Sequence, residues 1–567
     1  MPIRPEISDV IRDLIAPLPG VKAGMLDGLS AVDYGRGAAH GDLTTPVALR
    51  LAKLTGATPR GLAEQVAEGL RGASDRLKGQ VGRVEVAGPG FINIHLSPLY
   101  WHNLILSILS EGPRYGRSDI GGRGKVQLEF ASANPTGPLS VAHGRQAALG
   151  DVLSNILTFI GFDASTEYWV NDCGNQINKL GESVYARYMH ALGDKSVEFP
   201  SDGYRGDDIT ELSRLLAARD GRAYADKPRD EATAELGRIA ADLTLQKILA
   251  DFKRFGIQHD TVFSQREFEA SGHVQDLLGR MSALGLTYEE DGALWVKTSE
   301  HGDDKDRVLV KSDGSWAYRL SDIAYHEDKF ARGFERVINL LGPDHHGHIA
   351  TMQAAMQALG HDVSAVRFVI VQHCTILREG QKVKMSTRAG QLITLDEVIN
   401  EVGVDVARFF FLIRKTDSHL DFDLDLAKKQ SLDNPVYYVQ YAHARIASIL
   451  RKAEEAGRLG PDEMTRGTYT GGDPSDLAAL TPRDLALAAK LGRFGAVLEK
   501  AGLELEPHRL TSYLQELAAE FHNYYTQCPV ISDDAALTRA RLCLVSAVRV
   551  VLGNALHLLG VHIPEVM

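Results

Sequence analysis

A strand, a Gly/Pro-rich loop and an amphipathic helix follow one another twice in this sequence, and no other feature constrains the fold as strongly. In the first unit, residues 126–130 alternate between apolar and polar side chains, as in a half-buried strand. The loop 131–138 follows, and apolar residues then recur at helical spacing between 149 and 160. This order is typical of a nucleotide-binding crossover unit.

The second unit lies far downstream. Residues 337–341 are predicted to form a buried strand, 342–347 its loop, and 349–359 a helix, before another strand at 368–371. The more polar segment of about 190–300 is interpreted as an insertion. Two half-sheets split by an insertion predict a doubly wound parallel sheet, with a ligand crevice at the carboxyl ends of its strands.

Two further modules flank this core. The N-terminal part mixes helical spacing with alternating strands at 81–86 and 91–96, joined by a turn at Gly88-Pro89-Gly90. From about residue 430 the pattern is helical. The sequence therefore predicts an α/β core of split Rossmann type, an N-terminal α+β domain and a C-terminal all-α helical bundle. The predicted domain ranges are 1–112, 113–425 and 426–567.

Composition excludes several classes of protein. The chain has 567 residues and a net charge of −12, so a nucleic-acid ligand would need local basic patches. We expect no membrane span, because no apolar run is long enough. The four cysteines are far apart and form no C-x-x-C pair, so we expect neither a disulfide framework nor a protein-bound metal. The first residues lack the features of a signal peptide, which predicts a cytoplasmic protein.

The loop after the first strand is suited to hold a phosphate, because small residues let an anion approach backbone amides at a helix N-terminus. A histidine at such a helix start is more often structural than functional. A second loop, 383–390, offers two cations and a Ser/Thr pair, and alone it is typical of a solvated basic turn. Two such loops on opposite halves of one sheet favour a nucleotide site more than either does alone. The first loop and helix start supply Ser132, Asn134, Thr136, Gly137, Pro138, His143 and Gly144.

These segments resemble a known family. Residues 129–145, Glu-Phe-Ala-Ser-Ala-Asn-Pro-Thr-Gly-Pro-Leu-Ser-Val-Ala-His-Gly-Arg, look like the first signature of class I arginyl-tRNA synthetases. Residues 384–390, Lys-Met-Ser-Thr-Arg-Ala-Gly, look like the second. The resemblance extends along nearly the whole chain and also includes residues 87–93, 169–176, 342–347 and 433–445.

The resemblance implies an aminoacyl-tRNA ligase that uses ATP, with Mg²⁺ bound to the nucleotide, to activate L-arginine as arginyl-adenylate. The arginyl group then passes to the 3′ end of tRNA(Arg), releasing AMP, for protein synthesis. The catalytic residues implied are His143, Lys384 and Ser140. The ATP-binding residues implied are Ser132, Asn134, Pro135, Thr136, Gly137, His143, Gly144, Lys384, Met385 and Ser386.

Three positions depart from the family signatures. Ser140 stands where the first histidine of His-x-Gly-His is usual, and serine cannot carry a positive charge. Ala142 replaces the glycine that gives adenine room, and Thr387 stands where many class I enzymes have lysine. These departures bear on the roles of individual residues more than on the family.

The resemblance also implies a pocket for arginine. Glu129, Tyr318 and Asp322 match positions that read the substrate side chain, with Asn134 near the α-amino group and His345 or His346 on the wall. A guanidinium is a fork of five donors that paired carboxylates match best, and rejecting lysine or a neutral isostere would be worth roughly 3–5 kcal/mol. The alternative for Asp322 is a solvated acid on a helix.

Other matched positions concern tRNA. Tyr438, Tyr441, Tyr525 and the terminal Met567 align with the region that contacts the anticodon, where stacking is worth about 1–3 kcal/mol per base. The alternative is that these tyrosines only pack helices together. Near the other end of the chain, Phe91 and Asn93 match the family's site for a D-loop base.

Two rival functions remain open. Another class I synthetase, such as a cysteinyl one, is disfavoured because zinc-ligand cysteines are absent from the sequence. A non-catalytic tRNA-binding paralogue stays possible because of Ser140 and Ala142. The resemblance implies a monomer.

Overall fold

The structure, a computed structural model, describes residues 3–35, 40–383, 393–459, 464–465, 468–469 and 474–567. The N-terminal elements are α1 (Ile3–Ile15), α2 (Leu26–Leu29), β1 (Asp33–Tyr34), β2 (Leu43–Thr45), α3 (Val47–Thr55), α4 (Pro59–Gly72), β3 (Val81–Ala87), β4 (Phe91–Leu96) and α5 (Pro98–Glu111). The strands form one antiparallel sheet in the order β1-β2-β4-β3. The predicted α+β character of this part is confirmed.

Glycines make the predicted turn between β3 and β4. Gly88 has φ +53° and Gly90 has φ +146°, backbone conformations that L side chains rarely adopt. A Cβ atom at position 90 would also lie 3.1 Å from Cβ of Pro59, at the start of α4. The turn therefore closes the hairpin and lets it pack directly on that helix.

The central part holds the larger α/β unit. Its strands are β5 (Lys125–Glu129), β6 (Asp163–Val170), β7 (Thr261–Ser264), β8 (Thr287–Glu290), β9 (Ala293–Val296), β10 (Arg307–Val310), β11 (Arg336–Leu341), β12 (Val366–Ile370), β13 (Cys374–Arg378), β14 (Gln381–Lys382) and β15 (Leu420–Asp423). Its helices are α6 (Val141–Phe159), α7 (Asn175–Ala191), α8 (Asp207–Asp220), α9 (Arg229–Arg254), α10 (Gln265–Ala270), α11 (His273–Ala283), α12 (Tyr318–Ala331), α13 (His346–Ala358), α14 (Leu395–Val402), α15 (Val404–Leu412) and α16 (Leu424–Ala427).

Five parallel strands form the central sheet in the order β12-β11-β5-β6-β7. The strand order reverses between β5 and β11, so the carboxyl ends of these two strands border the crevice expected of a doubly wound fold. Helix α6 lies close on β5, because a Cβ atom at Gly150 would come within 2.1 Å of the ring of Phe130. The predicted parallel split sheet is confirmed.

The segment of about 190–300 differs from the predicted insertion. It contains β7, which pairs with β6 and forms one edge of the central sheet. Helices α7, α8 and α9 around it build a hydrophobic core of their own, and β8 to β10 form a separate antiparallel sheet. The polarity that suggested an insertion comes from helices such as α8 and α9, each of which buries one face and exposes the other.

The C-terminal part is helical, as predicted. Its helices are α17 (Pro435–Glu455), α18 (Pro482–Leu491), α19 (Phe494–Leu503), α20 (His508–Gln527) and α21 (Ala535–Leu558). A two-stranded hairpin, β16 (Met464–Thr465) and β17 (Thr468–Tyr469), lies between the first two helices. Throughout the described part of the chain, no helix has both the length and the apolar character that crossing a membrane requires.

Two buried arginines connect distant segments. Arg145 on α6 donates to the carbonyls of Gln372, at 2.7 Å, and Lys415, at 2.8 Å. Arg408 on α15 pairs with Asp151 of α6 and donates to two carbonyls that follow α9 and α21. Both guanidinium side chains are fully buried, so these contacts hold the helices and loops around the sheet in one arrangement.

We expect Arg408→Met to lower the free energy of unfolding by about 3–5 kcal/mol, because it leaves Asp151 without its partner in a largely buried place. Arg76→Met is the matched control. Arg76 pairs with Asp13 on the surface, where a pair contributes about 0–1 kcal/mol. Urea titration followed by circular dichroism measures both, and equal losses would contradict the prediction.

Candidate active site

A cavity of about 960 Å³ opens at the carboxyl ends of β5 and β11. Its wall is formed by the end of β5 and the loop after it, the first turns of α6 and α12, and the segment that leads into α13. The predicted site residues that line it are Glu129, Ser132, Asn134, His143, Tyr318 and Asp322. Residues distant in the sequence are thus brought to one crevice.

Other predicted residues lie outside this wall. Pro135, Thr136 and Gly137 continue the loop after Asn134. At Gly144 a Cβ atom would lie 2.6 Å from a methyl group of Leu395, so this glycine lets α6 pack on α14. The remaining ATP-binding residues of the prediction fall outside the described residues: Lys384, Met385 and Ser386.

His346 needs a correction. It is exposed at the first position of α13 and does not line the cavity, whereas His345 and His348 do. Residues three apart share a helix face, and the neighbour of one of them points about 100° away. Of the two predicted alternatives, His345 lines the cavity and His346 does not, and the helical phase adds His348 to the wall.

Ser132 connects the loop 131–138 to the end of β5. Its hydroxyl donates to Oε1 of Glu129 at 3.2 Å and accepts the backbone N–H of Trp169 at 3.1 Å. Between them Ala131 is fully buried and has φ +54°, a left-handed conformation that is uncommon for alanine. Strain of this kind persists only where the surroundings enforce it, and it often occurs at functional sites.

His143 and Ser140 form a capping box at the start of α6. The backbone N–H of Ser140 donates to Nδ1 of His143 at 3.1 Å, and the Ser140 hydroxyl accepts the backbone N–H of His143. Burial lowers the pKa of His143 to about 4, so the ring is neutral at pH 7 and carries its proton on Nε2. Ser140 itself does not line the cavity, so its observed role is to cap the helix and orient His143.

Glu129 is held from behind by a buried cation. Nζ of Lys329, a side chain with no solvent exposure, lies 2.7 Å from Oε2 of Glu129. The same ammonium donates to Oδ1 of Asn339 at 3.0 Å and lies 4.1 Å from the ring centre of Tyr325. The carboxylate at the end of β5 is therefore fixed in position.

Asp322 is the second acid of the cavity. Burial, reinforced by the negative charge of Glu129, raises the pKa of Asp322 to about 7. Its Oδ2 lies 3.4 Å from Nε2 of His348, whose ring stacks against Tyr318. The pKa of His348 is lowered to about 4, chiefly by burial. Asp322 thus lies on the cavity wall with 31% of its side chain accessible, and not on the outer surface of the helix as in the alternative.

The sequence prediction missed His326, Asn339 and His348, which line the cavity, and Lys329, which is buried behind it. Asp322, His326 and Lys329 follow one another at intervals of four and three, which places them on one face of α12. That spacing was a usable signal, but the motif Tyr-His-Glu-Asp-Lys resembles an exposed helix surface. His348 and Asn339 follow from the helical phase of α13 and from the inward face of β11.

The predicted anticodon-contacting tyrosines gather on two neighbouring helices. Tyr441 of α17 stacks on His522 of α20 with ring centres 5.8 Å apart, and Tyr438 lies 4.7 Å from the same imidazole. The guanidinium of Arg445 lies over the rings of both Tyr441 and Tyr525. These side chains pack on one another, and each of the three tyrosines keeps part of its surface accessible.

The predicted D-loop site is accessible only in part. Phe91 is 41% exposed on β4, whereas Asn93 is 3% exposed and its Oδ1 accepts the hydroxyl of Thr44 on the next strand. An inner position of the sheet leaves the Asn93 amide almost no surface for a base, so the prediction for Asn93 is corrected. The terminal Met567 is 43% exposed.

Within the described ranges, no group of three or more His, Cys, Asp or Glu side chains has the arrangement of a metal site. The cavity offers the neutral imidazoles of His143 and His348, the loop after β5, and the carboxylates of Glu129 and Asp322. The arrangement can bind an anion at the start of α6 and a cation between the acids of β5 and α12.

Comparison with known proteins covers almost the entire chain. Residues 4–96 match the arginyl tRNA synthetase N-terminal domain, 104–417 the catalytic domain of class I tRNA synthetases (R), and 439–567 the DALR anticodon binding domain. Among solved structures, Thermus thermophilus arginyl-tRNA synthetase superposes with a TM-score of 0.75 over 100% of both chains. At 22% identity that likeness supports the fold.

Curated relatives are more similar in sequence. The arginine–tRNA ligase of Citrifermentans bemidjiense is 46% identical over 532 residues, which is 94% of this chain and 93% of the relative. That of Carboxydothermus hydrogenoformans is 45% identical over 553 residues, 96% of each chain. By its fold, by its three domains and by these relatives, the chain belongs to the class I arginyl-tRNA synthetase family.

Proposed function

We propose that the protein activates L-arginine with ATP to form arginyl-adenylate and pyrophosphate, and transfers the arginyl group to the 3′ end of tRNA(Arg). The observation that carries this proposal is the meeting of two acids, Glu129 and Asp322, with His143 and Asn134 in one cavity at the reversal of the strand order. The cavity offers a cation site and an anion site side by side, which is what arginine and ATP together require.

The first step is an in-line attack of the arginine carboxylate on the α-phosphate of ATP. Positioning and charge stabilisation account for most of the catalysis in such reactions. His143 would donate from Nε2 to the phosphates, since Nδ1 already accepts a backbone N–H. Lys384, proposed by similarity, would stabilise the pyrophosphate, and Mg²⁺ would enter as part of the nucleotide substrate.

Selection of arginine would rest on the two acids. A guanidinium donates from five N–H groups in a fixed plane, and Glu129 and Asp322 offer acceptors from two elements. Tyr318, which is 61% exposed and stacked on His348, would cover the aliphatic part of the substrate at the entrance. A neutral isostere would leave buried carboxylate oxygens without partners, which is costly.

In the second step, the 2′-OH of the terminal ribose attacks the acyl carbon and AMP leaves. The domain of residues 1–112 would bind the tRNA elbow through Phe91. Tyr438, Tyr441 and Tyr525 would stack on anticodon-loop bases near Arg445, a contact worth about 1–3 kcal/mol per base. We further propose that the enzyme acts as a monomer in the cytoplasm, with the catalytic unit at 113–425 and the anticodon-binding unit at 426–567.

Aminoacylation of total tRNA with each of the twenty amino acids in turn tests the proposed function. We expect charging with arginine alone, and we expect His143→Ala to abolish arginine-dependent adenylate formation. A non-catalytic tRNA-binding paralogue would instead bind tRNA(Arg) and form no adenylate with any amino acid. Charging with another amino acid would overturn the proposed specificity.

Asp322→Asn should weaken arginine binding far more than ATP binding. Loss of a charge-assisted contact in a buried site costs about 2–3 kcal/mol, so the KM for arginine should rise roughly 30- to 150-fold. Steady-state adenylate formation measures both KM values. Asp313→Asn, which removes the same charge from an exposed loop ahead of α12, is the control. Equal losses for arginine and ATP would refute this role of Asp322.

The KM for arginine should also depend on pH through Asp322. The pKa of Asp322 without substrate is about 7, and a guanidinium favours the ionised carboxylate, so affinity is complete above pH 7 and is lost as the pH falls. Well below pH 7 we expect KM to rise about tenfold per pH unit. Asp322→Asn should remove this dependence, and a wild-type KM that stays constant from pH 6 to 8 would contradict the assignment.

A further inference from the structure

Lys329 is an unusual residue to find behind a cation-binding cavity. Its side chain has no solvent exposure, and its ammonium contacts Glu129, Asn339 and the ring of Tyr325. Those contacts occupy the cation with protein groups, so it cannot swing into the cavity without breaking them. Removing a charge from water costs free energy, and a buried ammonium is stable only when its partners offset that cost.

The contacts continue as a chain behind the cavity. Asn339 accepts from Lys329 and donates its amide to Nε2 of His326 at 3.1 Å. His326, whose pKa burial holds well below the ordinary value, then donates from Nδ1 to the backbone carbonyl of Asp322 at 2.8 Å. Glu129 and Asp322 are thus joined from behind by a hydrogen-bonded path through Lys329.

We propose that Lys329 is a positioning residue that acts as the built-in counter-ion of Glu129 and leaves the arginine-binding cavity with one net negative charge, matched to a singly charged guanidinium. The proposal rests on the proposed function, since it assigns the charge of the same pocket. Lys329 does not touch the substrate in this arrangement. It fixes the Glu129 carboxylate through an ion pair, and its positive charge lowers the pKa of Asp322.

The charged side chains that line the cavity, taken together with Lys329 buried behind them, sum to this value. Glu129 and Lys329 cancel, Arg319 and the exposed Asp344 cancel, and Asp322 remains. The histidines nearest to it, His326 and His348, are neutral at pH 7 because burial lowers the pKa of each. The charged or titratable groups that act on Asp322 are Arg319, His326 and Lys329 on its own helix, Glu129 from β5, Glu269 from α10 and His348 from α13.

Opposite charge changes on the two partners separate this proposal from a purely structural role. Lys329→Met removes a positive charge near Asp322 and should move the midpoint of the pH dependence of arginine binding upward, by about one pH unit. Glu129→Gln removes a negative charge and should move the same midpoint downward. General damage to the pocket weakens binding in both variants but does not shift the midpoint in opposite directions.

The measurement is calorimetric titration of the full-length protein with L-arginine between about pH 5.5 and 9. Lys329→Gln is the matched variant, because it keeps a hydrogen-bond donor and lacks the charge. Lys329→Gln should shift the midpoint as Lys329→Met does, and a midpoint restored to the wild-type value would overturn the role of charge. ATP binding, followed in parallel, should change less than twofold in each variant.

Two further outcomes are decisive. If the Lys329 variants do not fold, Glu129→Gln still tests the proposal, and an unchanged midpoint in that variant would overturn it. If wild-type protein binds no arginine at any pH, the proposed function itself fails. If the wild type binds arginine with a midpoint near pH 7 and neither substitution moves it, the function stands and the inference about Lys329 is wrong.

Discussion

Direct pairing of β5 with β11 is the constraint on which the site depends. These strands come from the two halves of the sheet, and they pair in parallel with Val126 opposite Arg336 and Glu129 opposite Asn339. Glu129 and Asn339 therefore stand side by side at the edge of the crevice, where Lys329 contacts both. A shift of the register by one residue would turn these side chains to the other face of the sheet.

Buried charge recurs wherever the structure joins distant parts of the chain. Arg145 and Arg408 donate hydrogen bonds to backbone carbonyls that follow strands and helices. Lys329 donates to side chains next to the cavity. Each such group is costly to bury and is therefore stable in only one arrangement of its partners. Apolar packing alone could hold the sheet and helices together, but it would place a guanidinium-binding pocket less accurately.

Much of the fold followed from periodicity, because strands and helices of the core leave clear patterns of apolar residues. Periodicity predicted the domain types, the position of Glu129 on a strand and that of His143 at a helix start. The resemblance alone placed Asp322 in the same crevice and supplied the roles of all three residues. What failed depended on three-dimensional neighbours. His345 and not His346 lies on the cavity wall, and Asn93 is buried on a strand that pairs with β2 on one side and β3 on the other.

The capping box at the start of α6 determines which side chains position 140 can accept. The imidazole of His143 is oriented by the main-chain N–H of residue 140, and the hydroxyl of Ser140 contributes a contact 3.4 Å long to the helix end. Every amino acid except proline supplies that N–H. The backbone N–H of residue 140 therefore sets the tautomer of His143. Another capping residue at position 140 would leave the His143 proton on Nε2.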